Sequence, residues 1–331
     1  MNDAPKALSG ISVYGAGAWG TALAIHAARL GHPTLLWARD PARAAAMAAE
    51  RRNSRLPNAA FPDGLRITAD AAEAGEAQLA LLAVPVQPLR EVLARLPEEL
   101  PPLLLCCKGL EAATALLPLE ILAEARPHAR AGVLSGPNFA HEVAAGLPAA
   151  SVVASTDPRL RALAQSLLSG GRLRLYASAD PLGVQLGGAA KNVLAIAAGI
   201  ATGAGYGENA RAALITRGLA ELSRLVTSLG GEAGTAAGLS GLGDLLLTAT
   251  GASSRNTSLG MALGRGQTLA EVLAGRQGVT EGIATAPALL SRAASAGVEL
   301  PICATVAAFL GGGTTVEQAL QSFLDRPPRE E

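Results

Sequence analysis

Short apolar runs alternate with helical stretches through the first half of the chain, and the alternation stops near residue 180. Ile11–Tyr14, Pro33–Trp37, Leu79–Val84, Leu103–Cys107, Ala131–Leu134, Ser151–Ala154 and Leu173–Tyr176 read as strands. Most are apolar throughout, as expected of parallel strands covered on both faces. Thr21–Ala28, Pro41–Arg52, Leu89–Leu96 and Ile121–Arg126 read as the helices between them. From Pro181 onward strand patterns vanish and helix follows helix through glycine-rich joints. The pattern predicts an α/β parallel-sheet domain over residues 1–180 and an all-helical C-terminal domain over 181–331, with the reacting groups in the crevice between them.

The first strand runs directly into Gly15-Ala16-Gly17-Ala18-Trp19-Gly20 and then into a helix. This is G-x-G-x-x-G in the context it requires. Gly15 permits the tight turn, Gly17 lets a pyrophosphate approach the backbone, and Gly20 lets helix and strand pack closely. Free N–H groups at the helix start then face the anion. The N-terminal domain is therefore expected to be a Rossmann-type nucleotide-binding sheet. An acidic residue at the end of the second strand would bond a ribose 2′-hydroxyl and select NAD. Here that strand ends in Ala38-Arg39-Asp40. Arg39 suits a 2′-phosphate and tilts the choice to NADP, while Asp40 keeps NAD open or caps the next helix.

The helical half opens with Asp180 as N-cap and Pro181 at the first helical position. Lys191 is the single charged residue between Asp180 and Glu208 in a stretch rich in Gly and Ala. A buried ammonium needs a partner or a depressed pKa, and both serve proton transfer near neutral pH. The competing reading is a lysine that snorkels to the surface. Lys108 follows a strand end, where ligands gather in open α/β sheets. Asp244, within Gly238–Thr248, is either a partner for a buried cation or a helix cap. Ser253-Ser254-Arg255-Asn256-Thr257 collects donors suited to a phosphate in a short loop. Glu281, after Val279-Thr280, reads first as a capping acid.

Half of the 331 residues are hydrophobic and 16% are charged, enough apolar mass for a large core. Lys+Arg and Asp+Glu both number 27, so no net charge invites nucleic acid or an acidic membrane. The polar Met1–Lys6 start resembles no signal peptide, and the uncharged run Asn192–Gly207 is short and glycine-rich for a membrane span. Cys106, Cys107 and Cys303, with four scattered histidines, form neither a disulfide framework nor a metal-ligand spacing. These features predict a cytoplasmic protein with no bound metal, no nucleic-acid partner and no stable membrane insertion.

Several of these segments, in this order, resemble NAD(P)-dependent glycerol-3-phosphate dehydrogenases of the bacterial type. The marks are Gly15–Ala24, Ser135-Gly136-Pro137-Asn138-Phe139-Ala140, Gly188–Val193, Gly199–Arg217, Gly238–Asp244 and Ser254-Arg255-Asn256, and the resemblance covers nearly the whole chain. It implies reduction of dihydroxyacetone phosphate to sn-glycerol 3-phosphate for phospholipid synthesis, with NADPH as cofactor and NADH as an alternative. A small phosphorylated triose is then the partner molecule, and a homodimer stays open. The resemblance further implies that Lys191 exchanges the proton at the carbonyl oxygen. It implies substrate contacts at Lys108, Gly136, Asn138, Lys191, Asp244, Ser254, Arg255 and Asn256. Cofactor contacts are implied at Gly15, Gly17, Ala18, Trp19, Gly20, Arg39, Lys108, Ala140, Arg255, Val279 and Glu281. The chain departs from the family pattern at Ala18, at Asn138, where Ser or Thr is usual, and at Gln185, where Glu is frequent. Arg55-Leu56-Pro57 stands where Tyr-Leu-Pro is usual. Asn138 is expected to retain a hydrogen bond donated to substrate.

Overall fold

The computed structural model describes residues 10–251, 253–276 and 278–324. The N-terminal Met1–Lys6 segment lies outside them. The chain divides into two compact units, one of residues 1–107 and 118–181, the other of residues 108–117 and 182–331.

The first unit is built on eight strands: β1 (Ile11–Tyr14), β2 (Thr34–Trp37), β3 (Leu65–Thr68), β4 (Leu79–Leu82), β5 (Leu103–Leu105), β6 (Ala131–Ser135), β7 (Ala149–Ala154) and β8 (Leu173–Ser178). Their order is β3-β2-β1-β4-β5-β6-β7-β8. Six helices connect them: α1 (Ala18–Arg29), α2 (Pro41–Glu50), α3 (Leu89–Arg95), α4 (Pro118–Ala125), α5 (Ala140–Ala145) and α6 (Pro158–Leu168). The chain order reverses direction across the sheet between β1 and β4, the switch point where open α/β sheets hold ligands. Every residue of β1, β4 and β5 is buried, which explains their unbroken apolar sequences. β3, Leu-Arg-Ile-Thr, was not among the expected strands. It is a short edge strand pairing only with β2, and its half-exposed pattern gives a weak sequence signature.

The all-parallel expectation needs one correction, because β7 runs antiparallel to β6. Their only intervening helix, α5, has six residues. It spans about 9 Å, whereas a six-residue strand such as β7 spans about 20 Å. The helix is too short to carry the chain back for a parallel entry, and α5 packs against α1 instead.

Among the described residues, the regular elements of the second unit are all helices. It contains α7 (Pro181–Gly203, from its second residue), α8 (Glu208–Ser228), α9 (Ala233–Ala236), α10 (Asp244–Thr250), α11 (Arg255–Gly264), α12 (Leu269–Ala274), α13 (Glu281–Ser295), α14 (Pro301–Leu310) and α15 (Val316–Leu324). A single π-helical turn, Leu239–Gly243, leads into α10. Leu110 and Leu117 from the 108–117 segment join the core of this unit, so that segment belongs here by packing.

By length and composition alone α7 is apolar enough to cross a bilayer, but 89% of its apolar window is buried inside the protein. It is buried from Gly183 to Ala201 because its neighbours come unusually close. A methyl on Gly260 of α11 would sit 2.3 Å from the Ile196 carbonyl oxygen, and one on Gly199 would sit 2.4 Å from that of Thr257. Backbone rests on backbone along this seam, and neither glycine has space for a side chain. We expect Gly260→Ala to destabilise the protein by about 1–3 kcal/mol through overpacking, measured as a lowered midpoint in urea unfolding.

Candidate active site

The glycine turn follows β1 as its sequence requires. Gly15 has φ +113°, and a methyl there would lie 2.5 Å from the Ala83 carbonyl oxygen. Gly20 abuts the turn so closely that a methyl would lie 2.0 Å from the Gly15 carbonyl oxygen. Gly17 is different, because nothing lies within 4 Å of the position its methyl would take. The turn is thus closed on its protein side and open at Gly17. Gly17 is also the N-cap of α1, with no side chain capping it and no acidic residue in the first turn. The N–H groups there remain available to a pyrophosphate. Ala18 and Trp19 form the first turn of α1, and the Trp19 indole Nε1 is buried with no protein acceptor. These features fit a dinucleotide. Arg39 is exposed after β2, while Asp40 caps α2 by accepting from the backbone of Ala42 and Arg43. The capping reading of Asp40 is therefore the observed one.

At the carboxyl end of β6, Gly136 takes φ +140° and Ala140 begins α5. Asn138 departs from the expectation that it donates to substrate. Its Nδ2 already donates to the Ala150 carbonyl oxygen at 3.1 Å and approaches Ser151 Oγ at 2.8 Å. Because a carbonyl only accepts, the amide cannot be turned over. Asn138 presents instead its Oδ1, buried and without a donor.

The second unit assembles the charged centre. Lys191, on α7, is buried, which excludes the snorkelling reading. Its Nζ donates to Asp244 Oδ1 at 3.0 Å and to Thr248 Oγ1 at 2.9 Å. The other carboxylate oxygen, Oδ2, accepts from Lys108 Nζ at 2.5 Å. Asp244 caps no helix through its side chain and is 2% exposed, against 20% for the Lys108 side chain. One carboxylate is clamped between two ammoniums. Burial favours a protonated carboxyl, but the two lysines outweigh it and hold Asp244 below its ordinary pKa. Lys191 is lowered to about 8, mainly because burial penalises its charge; Asp244 opposes that, and Lys108 and Arg255 add to it. Thr248, which carried no role in the sequence reading, lies four residues after Asp244 and so on the same face of α10.

Ser254 caps α11 by accepting from the Thr257 backbone N–H, so Arg255 and Asn256 open a helix and do not lie in a loop. Arg255 is exposed at that helix start. Asn256 is committed internally: its Nδ2 donates to Asn192 Oδ1, and its Oδ1 accepts from the Gly282 N–H at 3.1 Å. It thereby ties α11 to α7, beside Lys191, and to the start of α13. Glu281 does not cap α13, whose N-cap residue is Thr280. Its Oε2 is buried without a partner, and burial raises its pKa to about 7 against the pull of Arg255. Val279, two residues earlier, is exposed. Lys108, Lys191 and Asp244 are therefore in direct contact, and Arg255 lies close enough to act electrostatically on Lys191 and Glu281. Asn192, like Thr248, was given no role by the sequence reading.

A parallel sheet with a switch-point glycine turn and an open helix N-terminus defines a nucleotide-binding protein of the Rossmann class. The buried lysine centre adds the equipment of an oxidoreductase. Residues 10–161 match the N-terminal region of the NAD-dependent glycerol-3-phosphate dehydrogenases, and residues 180–321 match the C-terminal region. The chain belongs to this family. It is 52% identical over 324 residues to the NAD(P)+ glycerol-3-phosphate dehydrogenase of Gluconobacter oxydans, covering 97% of this chain and 98% of that one. Identity to the same enzyme of Leptothrix cholodnii is also 52%, with 97% and 99% covered. The crystal structure of glycerol-3-phosphate dehydrogenase from Coxiella burnetii superposes with a TM-score of 0.91 at 37% identity, over 96% of this chain and 99% of that one.

Removing the central charge should be costly. Asp244→Asn leaves two ammoniums facing a neutral amide. We expect a loss of about 3 kcal/mol or more in denaturant unfolding. We also expect the Lys191 pKa to fall below its present value, followed by NMR of the isotopically methylated lysine.

Proposed function

We propose that this protein catalyses the reversible NAD(P)H-dependent reduction of dihydroxyacetone phosphate to sn-glycerol 3-phosphate, supplying glycerophospholipid synthesis. The observation that carries this reading is the Lys191–Asp244–Lys108 cluster, in which a buried lysine is held by a buried carboxylate. A desolvated ammonium suits a substrate whose reacting oxygen gains negative charge. In this reading the protein acts in the cytoplasm on a small phosphorylated triose, with no nucleic-acid partner and no stable insertion into a membrane.

The cofactor, when bound, supplies a hydride to the carbonyl carbon. The glycine turn Gly15–Gly20 would hold its pyrophosphate, and Trp19, Arg39, Ala140, Val279 and Glu281 would complete its contacts. Lys191 donates a hydrogen bond to the carbonyl oxygen of the ketone. As charge builds there, its proton moves to that oxygen and the lysine becomes a neutral amine. A value of about 8 places ammonium and amine close in free energy at neutral pH, which is what reversible proton transfer needs. Asp244 keeps the ammonium form accessible inside a buried site, and Thr248 fixes its direction by accepting a second hydrogen bond. Lys108 orients the substrate from the other side of Asp244. Arg255, with Ser254 and Asn256 at the start of α11, receives the phosphate, so that binding energy remote from the carbonyl aligns it. Gly136 and Asn138 contribute the remaining substrate contacts; Asn138 offers an acceptor to a substrate hydroxyl.

Lys191→Met should retain cofactor binding, measured by NADPH fluorescence, and lose at least about a hundredfold in kcat. In the parent protein the reducing direction requires the ammonium. Its kcat should therefore fall as pH rises through about 8, while the oxidising direction, which requires the amine, should rise over the same range. Absorbance assays with dihydroxyacetone phosphate, run separately with NADPH and NADH, test the reaction itself; no oxidation of either cofactor would reject it. Arg255→Ala should raise KM for dihydroxyacetone phosphate by about tenfold or more, with a smaller change in kcat.

A further inference from the structure

The glycine turn is held from behind by a residue with no part in the roles described above. Asn53 lies between α2 and β3 and is fully buried. Its own backbone closes a turn, with the Leu56 N–H donating to the Asn53 carbonyl oxygen at 2.8 Å, and Leu56 packs into the core of the sheet unit. The side chain reaches back to the glycine turn. Nδ2 donates to the Ala16 carbonyl oxygen at 3.1 Å and to Thr21 Oγ1 at 2.6 Å. Oδ1 accepts from Arg43 Nη2 and from the Arg55 backbone N–H, both at 3.1 Å. A carbonyl only accepts and a backbone N–H only donates, so the amide has one possible orientation. Both of its hydrogens and its oxygen are committed to protein, and Asn53 is not a ligand-contacting group.

The contact with Ala16 has a geometric consequence at Gly17. The Ala16 carbonyl and the Gly17 N–H belong to one planar trans peptide and point in opposite directions. Holding the oxygen toward Asn53 therefore turns the Gly17 N–H away from it, and no protein acceptor takes that N–H among the described residues. Gly17 has open space beside it, as close approach of a pyrophosphate requires. The same openness would leave the Ala16–Gly17 peptide free to rotate, because glycine accepts φ of either sign. Arg43 donates to the same carbonyl oxygen, and its guanidinium is held in turn by Asn53. The amide thus fixes the peptide directly and through Arg43, while Thr21 ties it to the first turn of α1.

We propose that Asn53 is the positioning residue of the pyrophosphate site: it holds the Ala16–Gly17 peptide so that the Gly17 N–H already faces the ligand before the ligand arrives. The inference deepens the functional reading above and rests on it only in taking the glycine turn as the dinucleotide site. A peptide that must be ordered on binding subtracts that ordering from the affinity, whereas a preset one does not. The effect falls on cofactor affinity. It leaves the lysine centre, carried by α7, α10 and the 108–117 segment, unchanged.

The test compares Asn53→Ala with Thr21→Val in the intact protein. The first removes the hold on Ala16; the second removes a hydrogen bond to the same amide and leaves that hold in place. Calorimetric titration with ADP should show affinity weakened about tenfold or more in Asn53→Ala and within about twofold of the parent in Thr21→Val. In Asn53→Ala the KM for NADPH should rise by a similar factor, with kcat at saturating NADPH within about twofold of the parent. Unchanged ADP affinity in Asn53→Ala, or equal weakening in both variants, would reduce Asn53 to a packing residue and overturn the proposal. A measurement on the parent protein decides the question even if neither variant folds. With alanine labelled at its carbonyl carbon and glycine at its nitrogen, the Ala16–Gly17 peptide should give one sharp NMR signal in the free protein, shifted but not broadened at saturating ADP. Exchange broadening or doubling of that signal in the free protein would show a peptide that is not preset, and would also overturn the proposal. A parent protein that binds no ADP would reject the dinucleotide site and the proposal with it. Failure to reduce dihydroxyacetone phosphate would strike the functional reading alone and leave the titrations interpretable.

Discussion

Asp244 is the residue on which the chemistry of the helical unit depends. Its carboxylate holds Lys191 on one oxygen and Lys108 on the other, although these partners lie 53 and 136 residues away in sequence. A buried ammonium without an anion would lose its proton or destabilise the fold. A buried carboxylate with one lysine would form a closed, neutral pair. The second lysine arrives on a short segment, residues 108–117, that follows β5 and packs in the helical core through Leu110 and Leu117.

Burial of Lys191 is itself a packing result. The small residues of α7 bring its neighbours to backbone distance, as the Gly199 and Gly260 contacts with α11 show. Lys191 is buried on this helix, and desolvation is the largest influence on its pKa. The same seam places Asn192, the next residue on α7, against Asn256 on α11, and Asn256 in turn against the first turn of α13. The two asparagines are committed to each other and to backbone. They fix the start of α11, where Arg255 stands, relative to the lysine helix. Arg255 and Lys191 are thus tied to one another through two buried amides.

Much of the sheet was legible in the sequence because its information is local. Unbroken apolar runs identify β1, β4 and β5, and the glycine spacing identifies the turn, since each signal occupies a few adjacent residues. β3 was not legible: four residues of mixed burial at an edge carry little pattern. The antiparallel β7 was missed because strand direction depends on the length of α5, not on the strand's own composition. In the site, composition alone could mark Lys191 as out of place in an apolar helix, but it could not choose its partner. Asp244 was equally a cap until the fold brought it to the lysines. Ser254 was read as a ligand of phosphate and serves as a helix cap, which leaves its hydroxyl proton uncommitted to that bond. Asn53 sits in the polar run Arg51–Arg55 and looks like a surface residue, yet it is fully buried. Long-range contacts decide such cases, and single-sequence patterns carry no trace of them.

The two ends of the chemistry are built on opposite principles. Around the glycine turn, geometry is fixed by covalent and steric restriction: Gly15 has a backbone conformation few other residues accept, and Gly20 has no room for a methyl. Little charge is needed there, because oriented backbone N–H groups supply the potential at a helix start. Around Lys191 the reverse holds. Its position follows from helix packing, and its function follows from the balance among desolvation, one anion and neighbouring cations. A balance of that kind tolerates small displacements poorly, since each opposing contribution changes steeply inside a low-dielectric site. The close seams of the helical unit therefore bear on the lysine's charge as well as on the fold: they hold constant the distances on which that charge depends.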